Sequence, residues 1–216
     1  MIRIAAGLVV LAMAWFGPPG AQAAESFAAH MTMHVSVVAV AAPLLAAGLL
    51  RVAVPTAWLA GLAAAPVVAS VAEFVAVWGW HLPAMHHFAR HSPAGLVLEQ
   101  GSFLVTALWL WTAALARPAG REDPAGAGVF ALLLTSMHMV LLGTLLTLAP
   151  RSLYHGGGTL DDTRIGGLVM LAGGGLPYLL GGLVLVWRLL DDAGRQMLPR
   201  AGAAAGRRVR GVDDAP

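Results

Sequence analysis

GAGVFALLLTSMHMVLLGTLLTLA, residues 126–149, is an apolar run of 24 residues without aspartate, glutamate, lysine or arginine. A helix rises about 1.5 Å per residue, and about 20 residues cross the hydrocarbon core of a bilayer. The run is therefore long enough to form a membrane span. Runs of similar length predict four more spans, at about 31–50, 56–79, 94–116 and 165–190. The sequence predicts an all-α integral membrane bundle of five transmembrane helices.

The composition of the whole chain excludes several classes of protein. Of its 216 residues, 58% are hydrophobic and 11% are charged, which is far from the usage of soluble domains. Cysteine is absent, so disulfides, thiolate metal sites and cysteine nucleophiles are excluded. The basic residues are all arginine, and their dispersal among apolar runs does not indicate a nucleic-acid partner. Soluble-enzyme motifs such as GxSxG and HExxH are missing, and we expect no enzymatic activity.

The N-terminus has the pattern of a secretory signal peptide. Arg3 precedes an apolar core, Ile4 to Phe16, which small residues follow. This core is short for a membrane span, so we expect residues 1–23 to be a cleaved signal peptide. The alternative is an uncleaved first helix. Residues 24–190 are then the transmembrane helical domain, and the polar segment 191–216 is predicted to be a disordered cytoplasmic tail.

The orientation follows from the signal and from the arginines. Export of residue 24 places the mature N-terminus outside, and alternating spans then place the C-terminus in the cytoplasm. Arginine is enriched on cytoplasmic segments close to membranes. On this topology nine arginines lie inside and three outside. We therefore expect a multi-pass protein of the plasma (inner) membrane.

Histidines and methionines collect at the predicted outer face. His30 and His34 are four residues apart, so their imidazoles share one helix face, with Met31 beside them. The external segment 80–93 adds further side chains: His81, Met85, His86, His87 and His91. Imidazole and thioether without thiolate suit copper, and imidazole with carboxylate also suits zinc. Taken singly, His86, His87 and the more distant His155 are expected only to cover a polar rim.

Three ionisable side chains fall within predicted spans, where charged types cost roughly 2.5–3.5 kcal/mol to insert. Glu73 and Glu99 each lie about 9 Å below the outer end of their span, at matching depth. We expect them to orient the imidazoles, or to receive the ion or its displaced protons. His138 lies about 16 Å deep. It could ligate a b-type haem, relay protons or hydrogen-bond across helices.

With these residues located, the chain resembles the CtaG-like cytochrome c oxidase assembly factors, a family of integral membrane proteins. The resemblance runs from His30 to about Trp187 and rests on the order and spacing of short motifs. These are His30-Met31-x-x-His34, Ala42-Pro43-Leu44-Leu45, Trp80-His81-Leu82-Pro83, His91 and Glu99 ahead of Phe103 and the Trp109/Trp111 pair, Leu153-Tyr154, and Asp162-x-x-x-Gly166-Gly167-x-x-Met170. Two positions depart from the family pattern. Gln100 stands where the pattern has histidine, and Leu171 where it has tryptophan.

The resemblance implies a role in maturing a haem-copper oxidase, with oxidase subunits and the lipid bilayer as partners. It carries functional roles to His30, His34, His81, Glu99 and Asp162. Asp162 either completes the external site or caps the helix of the fifth span.

Our hypothesis is that His30, His34 and His81 capture copper at the outer surface. The supporting ligands are Met31, Met85 and His91. Two alternatives stay open. One is a b-type haem electron-transfer protein that uses His138, and the other is a purely structural partner of an oxidase subunit.

Overall fold

The computed structural model describes residues 1–52, 65–116, 125–154 and 159–213, with side chains described as far as Arg195. Within these ranges every regular element is a helix. In chain order the helices are α1 (Ile2–Phe16), α2 (Pro18–Gln22), α3 (Phe27–Val35), α4 (Ala42–Leu49), α5 (Pro66–Trp80), α6 (Pro83–His91), α7 (Pro93–Leu115), α8 (Ala125–Thr147), α9 (Leu160–Val169) and α10 (Gly175–Asp213). Two π-helical turns, Ser36–Ala41 and Met170–Gly174, join α3 to α4 and α9 to α10.

Five segments of the described chain are long and apolar enough to cross a membrane: Ile2–Gln22, Phe27–Leu49, Pro93–Leu115, Gly126–Thr147 and Leu160–Arg195. The predicted all-α membrane fold is confirmed. Four of these segments match predicted spans. The remaining one, Ile2–Gln22, covers most of the predicted signal peptide. The predicted second span is represented by α5, of 15 residues. Its first part, 56–64, lies outside the described residues.

The N-terminal helix α1 packs into the bundle. A Cβ atom placed on Gly7 would lie 2.7 Å from Cγ of Leu45, so α1 and α4 approach more closely than larger residues allow. Trp15 Nε1 donates to Gln100 Oε1 of α7 at 3.3 Å. Residues 1–22 therefore contact two other helices, and their cleavage stays a prediction.

The short helix α6 directs its side chains back toward the bundle. Its axis is bent by 77° from that of α5, with His81 at the bend. Proline occupies the first turn of both α6 and α7, at Pro83 and Pro93, where the missing N–H has no partner to lose. The Oγ of Ser92 accepts the N–H of Gly95 and caps α7. The bend at His81, helix α6 and the start of α7 therefore lie together at one end of the bundle.

The first π-helical turn leaves one buried backbone carbonyl, that of Val38, without a donor from its own helix. Its register directs the carbonyl of Val38 toward Pro43, which has no N–H to donate. Trp111 supplies the missing donor. Trp111 Nε1 donates to the Val38 oxygen at 3.1 Å, and the hydroxyl of Tyr178 lies 3.2 Å from it. The buried carbonyl is thereby satisfied by a donor from α7.

The last helix extends beyond the predicted domain boundary. α10 continues from Gly175 to Asp213, through most of the segment 191–216 that the composition predicts to be disordered. Arg195 Nε donates to Asp191 Oδ2 at 3.1 Å, a spacing of four residues along one helix face. No helix end coincides with residue 190 in the described chain, and the division into domains stays a prediction.

Candidate metal centre

Helices α3, α6 and α7 converge at one end of the bundle, and each contributes one polar side chain. His30, His86 and Glu99 each offer one ligand atom, and these atoms lie within 4.8 Å of one another. We name these residues the carboxylate trio. None is more than 2% exposed. Two imidazoles and a carboxylate form a donor set that zinc or copper accepts.

Hydrogen bonds fix the carboxylate of this trio. His30 Nε2 donates to Glu99 Oε1 at 3.0 Å, and Gln100 Nε2 donates to Glu99 Oε2 at 3.1 Å. Gln100 in turn accepts from Trp15 of α1. The residue that departs from the family pattern is therefore a support for Glu99, and it links α1 to the trio. A metal ion between His30 and Glu99 would take the place of the hydrogen they share.

The sequence predicts that His86 only covers a polar rim, whereas in the structure it is buried in the carboxylate trio. Its ring packs against Tyr154, with centroids 4.1 Å apart, and against His30, with centroids 5.0 Å apart. Burial is the main cause that lowers the pKa of His86 to about 2, and repulsion from His30 adds to it. The ring is therefore neutral near pH 7, and its buried Nε2 has no hydrogen-bond partner. The burial of His86 and Ala89, three residues apart on α6, depends on the bend after α5, and the sequence carries no signal for it.

One alternative from the sequence was that Asp162 caps the helix of the fifth span, α9. In the structure its carboxylate does not cap α9. Its carboxylate accepts from the Ser26 hydroxyl at 2.7 Å and from the N–H of Phe27 at 2.6 Å, at the start of α3. The N-cap of α9 is Thr159, whose Oγ1 accepts the N–H of Asp162 at 3.1 Å. Asp162 therefore stabilises the helix that carries His30 and His34.

Three more of the predicted ligands, Met31, His34 and His81, lie together next to the carboxylate trio. His81 Nε2 lies 3.4 Å from Met31 Sδ, and the rings of His81 and His34 have centroids 5.8 Å apart. Met31 and His34 are fully buried, and His81 is 8% exposed. We name these residues the thioether trio. The predicted grouping of His30, His34 and His81 is thus divided between two neighbouring clusters.

The model of the cytochrome c oxidase caa3 assembly factor family (Caa3_CtaG) matches residues 3–192. The chain belongs to this family. The match includes α1, both trios and the start of α10. The protein is therefore a membrane-embedded assembly factor whose partner is cytochrome c oxidase. No curated protein and no solved structure matches the chain.

A cavity of about 250 Å³ lies beside the carboxylate trio of this assembly factor. Its lining includes His86, His87, His91 and Tyr154. The exposed rings of His87 and His91 stack with centroids 4.0 Å apart. His91 Nδ1 donates to the carbonyl of His87 at 2.9 Å, so its Nε2 is free to bind a metal. Met85, a predicted supporting ligand, is 39% exposed rather than buried with the trios. His155 lies outside the described residues.

The two buried carboxylates of the assembly factor do not share a site. Glu99 belongs to the carboxylate trio, whereas Oε1 of Glu73 accepts from the Tyr178 hydroxyl beside Val38. Val38 lies eight residues beyond His30, or about 12 Å along the helix axis. The two carboxylates therefore have separate partners, and their depth in the membrane stays a prediction. Oε2 of Glu73 has no hydrogen-bond partner.

His138, in the middle of α8, belongs to neither trio, although its ring interacts electrostatically with His34 of the thioether trio. Its ring packs edge-on to Phe74 of α5, with centroids 5.3 Å apart. The side chain is 5% exposed, and neither ring nitrogen has a hydrogen-bond partner. The interhelical hydrogen bond that the sequence allowed for His138 is not formed. A hydroxyl pair joins the same two helices nearby, where Ser70 and Thr135 lie 2.8 Å apart.

Proposed function

We propose that this assembly factor captures copper at the outer face of the plasma membrane and delivers it, as cargo, to cytochrome c oxidase. One observation carries the proposal: three buried ligand atoms from three helices lie within 4.8 Å of one another. Buried ionisable groups in a membrane protein are costly, and their convergence on one point indicates a function. In this role the protein binds and transfers an ion and catalyses no reaction.

The donor set of the carboxylate trio fits a divalent ion. Imidazole nitrogen and carboxylate oxygen suit Cu(II) or Zn(II), and a carboxylate offsets part of the ion's charge in a buried site. Glu99 is held in place from both of its oxygens, by His30 and by Gln100. A ligand fixed in this way needs little reorganisation when the ion arrives.

The histidine-lined cavity supports entry from the outside. His87 and His91 are exposed at its rim, and His86 connects it to the buried trio. The orientation is the one that the arginine distribution predicts, with the N-terminal end of α3 outward. An ion would first meet exposed imidazoles and then exchange onto His86, His30 and Glu99.

The test compares two adjacent histidines of α6. The variant His86→Ala removes a buried ligand, and His87→Ala removes an exposed imidazole one residue away. Each variant is produced as the sole copy of the assembly factor. Metal content is measured after purification in detergent, and oxidase activity is measured in membranes.

We expect His86→Ala to contain less copper than the wild type, because the carboxylate trio is lost, and to lose oxidase activity, with partial recovery of activity when copper is added to the medium. His87→Ala should behave like the wild type in metal content. If His86→Ala matures the oxidase normally and wild-type protein holds no copper, the copper proposal is rejected in favour of a purely structural partner.

A further inference from the structure

The thioether trio is chemically different from the carboxylate trio. We propose that Met31, His34 and His81 form a second metal site that is selective for Cu(I). The inference rests on the proposed copper handling for the origin of the ion, and on its own residues for the site. Met31 and His34 lie three residues apart on one face of α3, and His81 faces them from the end of α5.

The contact between His81 and Met31 lacks a hydrogen. His81 Nδ1 donates to the carbonyl of Val77 at 2.6 Å, which places the ring proton on Nδ1. Nε2 of the neutral ring is then a lone pair, and it faces Met31 Sδ at 3.4 Å. A thioether sulfur has no hydrogen to donate. Two lone pairs directed at one another are the arrangement that a bridging cation would stabilise.

His34 supplies a third donor that has no other role in the described structure. The side chain is fully buried, and neither of its ring nitrogens has a hydrogen-bond partner. Its ring packs edge-on to Phe103, with centroids 4.1 Å apart, which fixes its orientation beside His81. A buried imidazole without partners is unfavourable, and binding a metal ion would use its free lone pair.

The charge of the site favours a monovalent ion. Two neutral imidazoles and a thioether carry no negative charge, so a divalent ion would bring its whole charge into a buried site. Cu(I) carries a single charge and prefers soft ligands such as thioether sulfur. The carboxylate of Glu99 binds His30 and Gln100, so the harder donor remains in the other trio.

The two sites are stacked along α3. His30 and His34 are one turn apart, a rise of about 6 Å. The carboxylate trio takes a divalent ion and the thioether trio takes copper that is already Cu(I), so neither site requires a change of oxidation state. The two sites share no residue, so each can be removed separately.

The experiment titrates the purified full chain, in detergent and without oxygen, with Cu(I) alone. X-ray absorption at the copper edge then detects sulfur among the ligands. The variants are Met31→Leu and His34→Gln for the thioether trio, and His86→Ala for the carboxylate trio. Met33→Leu is the matched control, because Met33 is an equally buried methionine two residues from Met31.

We expect copper-sulfur scattering in the wild type, in Met33→Leu and in His86→Ala, and its loss in Met31→Leu. His34→Gln should weaken Cu(I) binding at least tenfold. Copper bound without any sulfur ligand, and lost in His86→Ala, would overturn the second site while supporting the proposed function. Absence of copper binding in the wild type would overturn both.

Discussion

The carboxylate of Asp162 accepts the backbone N–H of Phe27 at 2.6 Å, although 135 residues separate the two in the sequence. The same carboxylate accepts from the Ser26 hydroxyl. The start of α3 is therefore stabilised by α9. Because His30 follows Phe27 by less than one turn, the position of the carboxylate trio depends on this long-range cap.

Replacing Asp162 by alanine should destabilise the protein by about 0.5–2 kcal/mol, the usual cost of losing a helix cap. Unfolding in detergent, followed by circular dichroism against temperature, measures the change. Asp161→Ala is the control, because Asp161 is 84% exposed and its closest ionic partner is Arg164 at 3.7 Å. Equal stability of the two variants would contradict the capping role.

Replacing Glu99 by glutamine should weaken divalent metal binding by about tenfold or more, since the anionic ligand is lost while a side chain of equal size remains. Titration with Cu(II), followed by calorimetry, gives the affinity. The matched control is Glu25→Gln, since Glu25 is exposed. An unchanged affinity in Glu99→Gln would exclude Glu99 as a ligand.

Replacing Tyr178 by phenylalanine should cost about 1–3 kcal/mol, because Glu73 then loses its hydrogen-bond partner in a buried site. The thermal midpoint in detergent reports the loss. Thr144→Val is a suitable control, since it removes an exposed hydroxyl that bonds only within its own helix, to the carbonyl of Val140. Similar midpoints for the two variants would show that the Glu73 contact contributes little.

A chain that begins at Ala24 should be less stable than the full chain. It lacks Trp15, the donor to Gln100, and it loses the contact of Gly7 with Leu45. The polar amide of Gln100 would then meet lipid, which is unfavourable. Thermal unfolding of the two purified forms decides the matter. If the full chain and the chain that begins at Ala24 are equally stable, residues 1–23 contribute nothing to the fold, as expected of a cleaved signal peptide.

Much of the fold could be predicted from apolar run lengths. The predicted spans 94–116 and 126–149 end within two residues of Pro93–Leu115 and Gly126–Thr147. This works because the bilayer sets a minimum length for an uninterrupted apolar helix. The N-terminal segment was harder, since a signal peptide and a packed first helix have similar composition. Trp15 contacts Gln100 in the full chain, and cleavage of residues 1–23 stays a prediction.

The site was predicted in part. Spacing of four placed His30 and His34 on one face of α3, and both are buried there. Spacing gives no information about the partner helix, so it could not assign the two rings to different clusters. Helical rise gives depth along a span but not direction around it, and Glu73 and Glu99 consequently have different partners. His86 was undervalued because its burial depends on the bend between α5 and α6.

Residues 30, 86 and 99 meet only when three helices have assembled, and the unfolded chain has no equivalent arrangement. An ion held by them would act as a cross-link, and thermodynamic linkage requires that it raise the stability of the native state. At a free ion concentration one hundred times the dissociation constant, the gain is about 2.7 kcal/mol. The ion-bound form would then resist heat and proteases better than the ion-free form. Proteases in the cell would therefore degrade mainly the molecules that have released their ion.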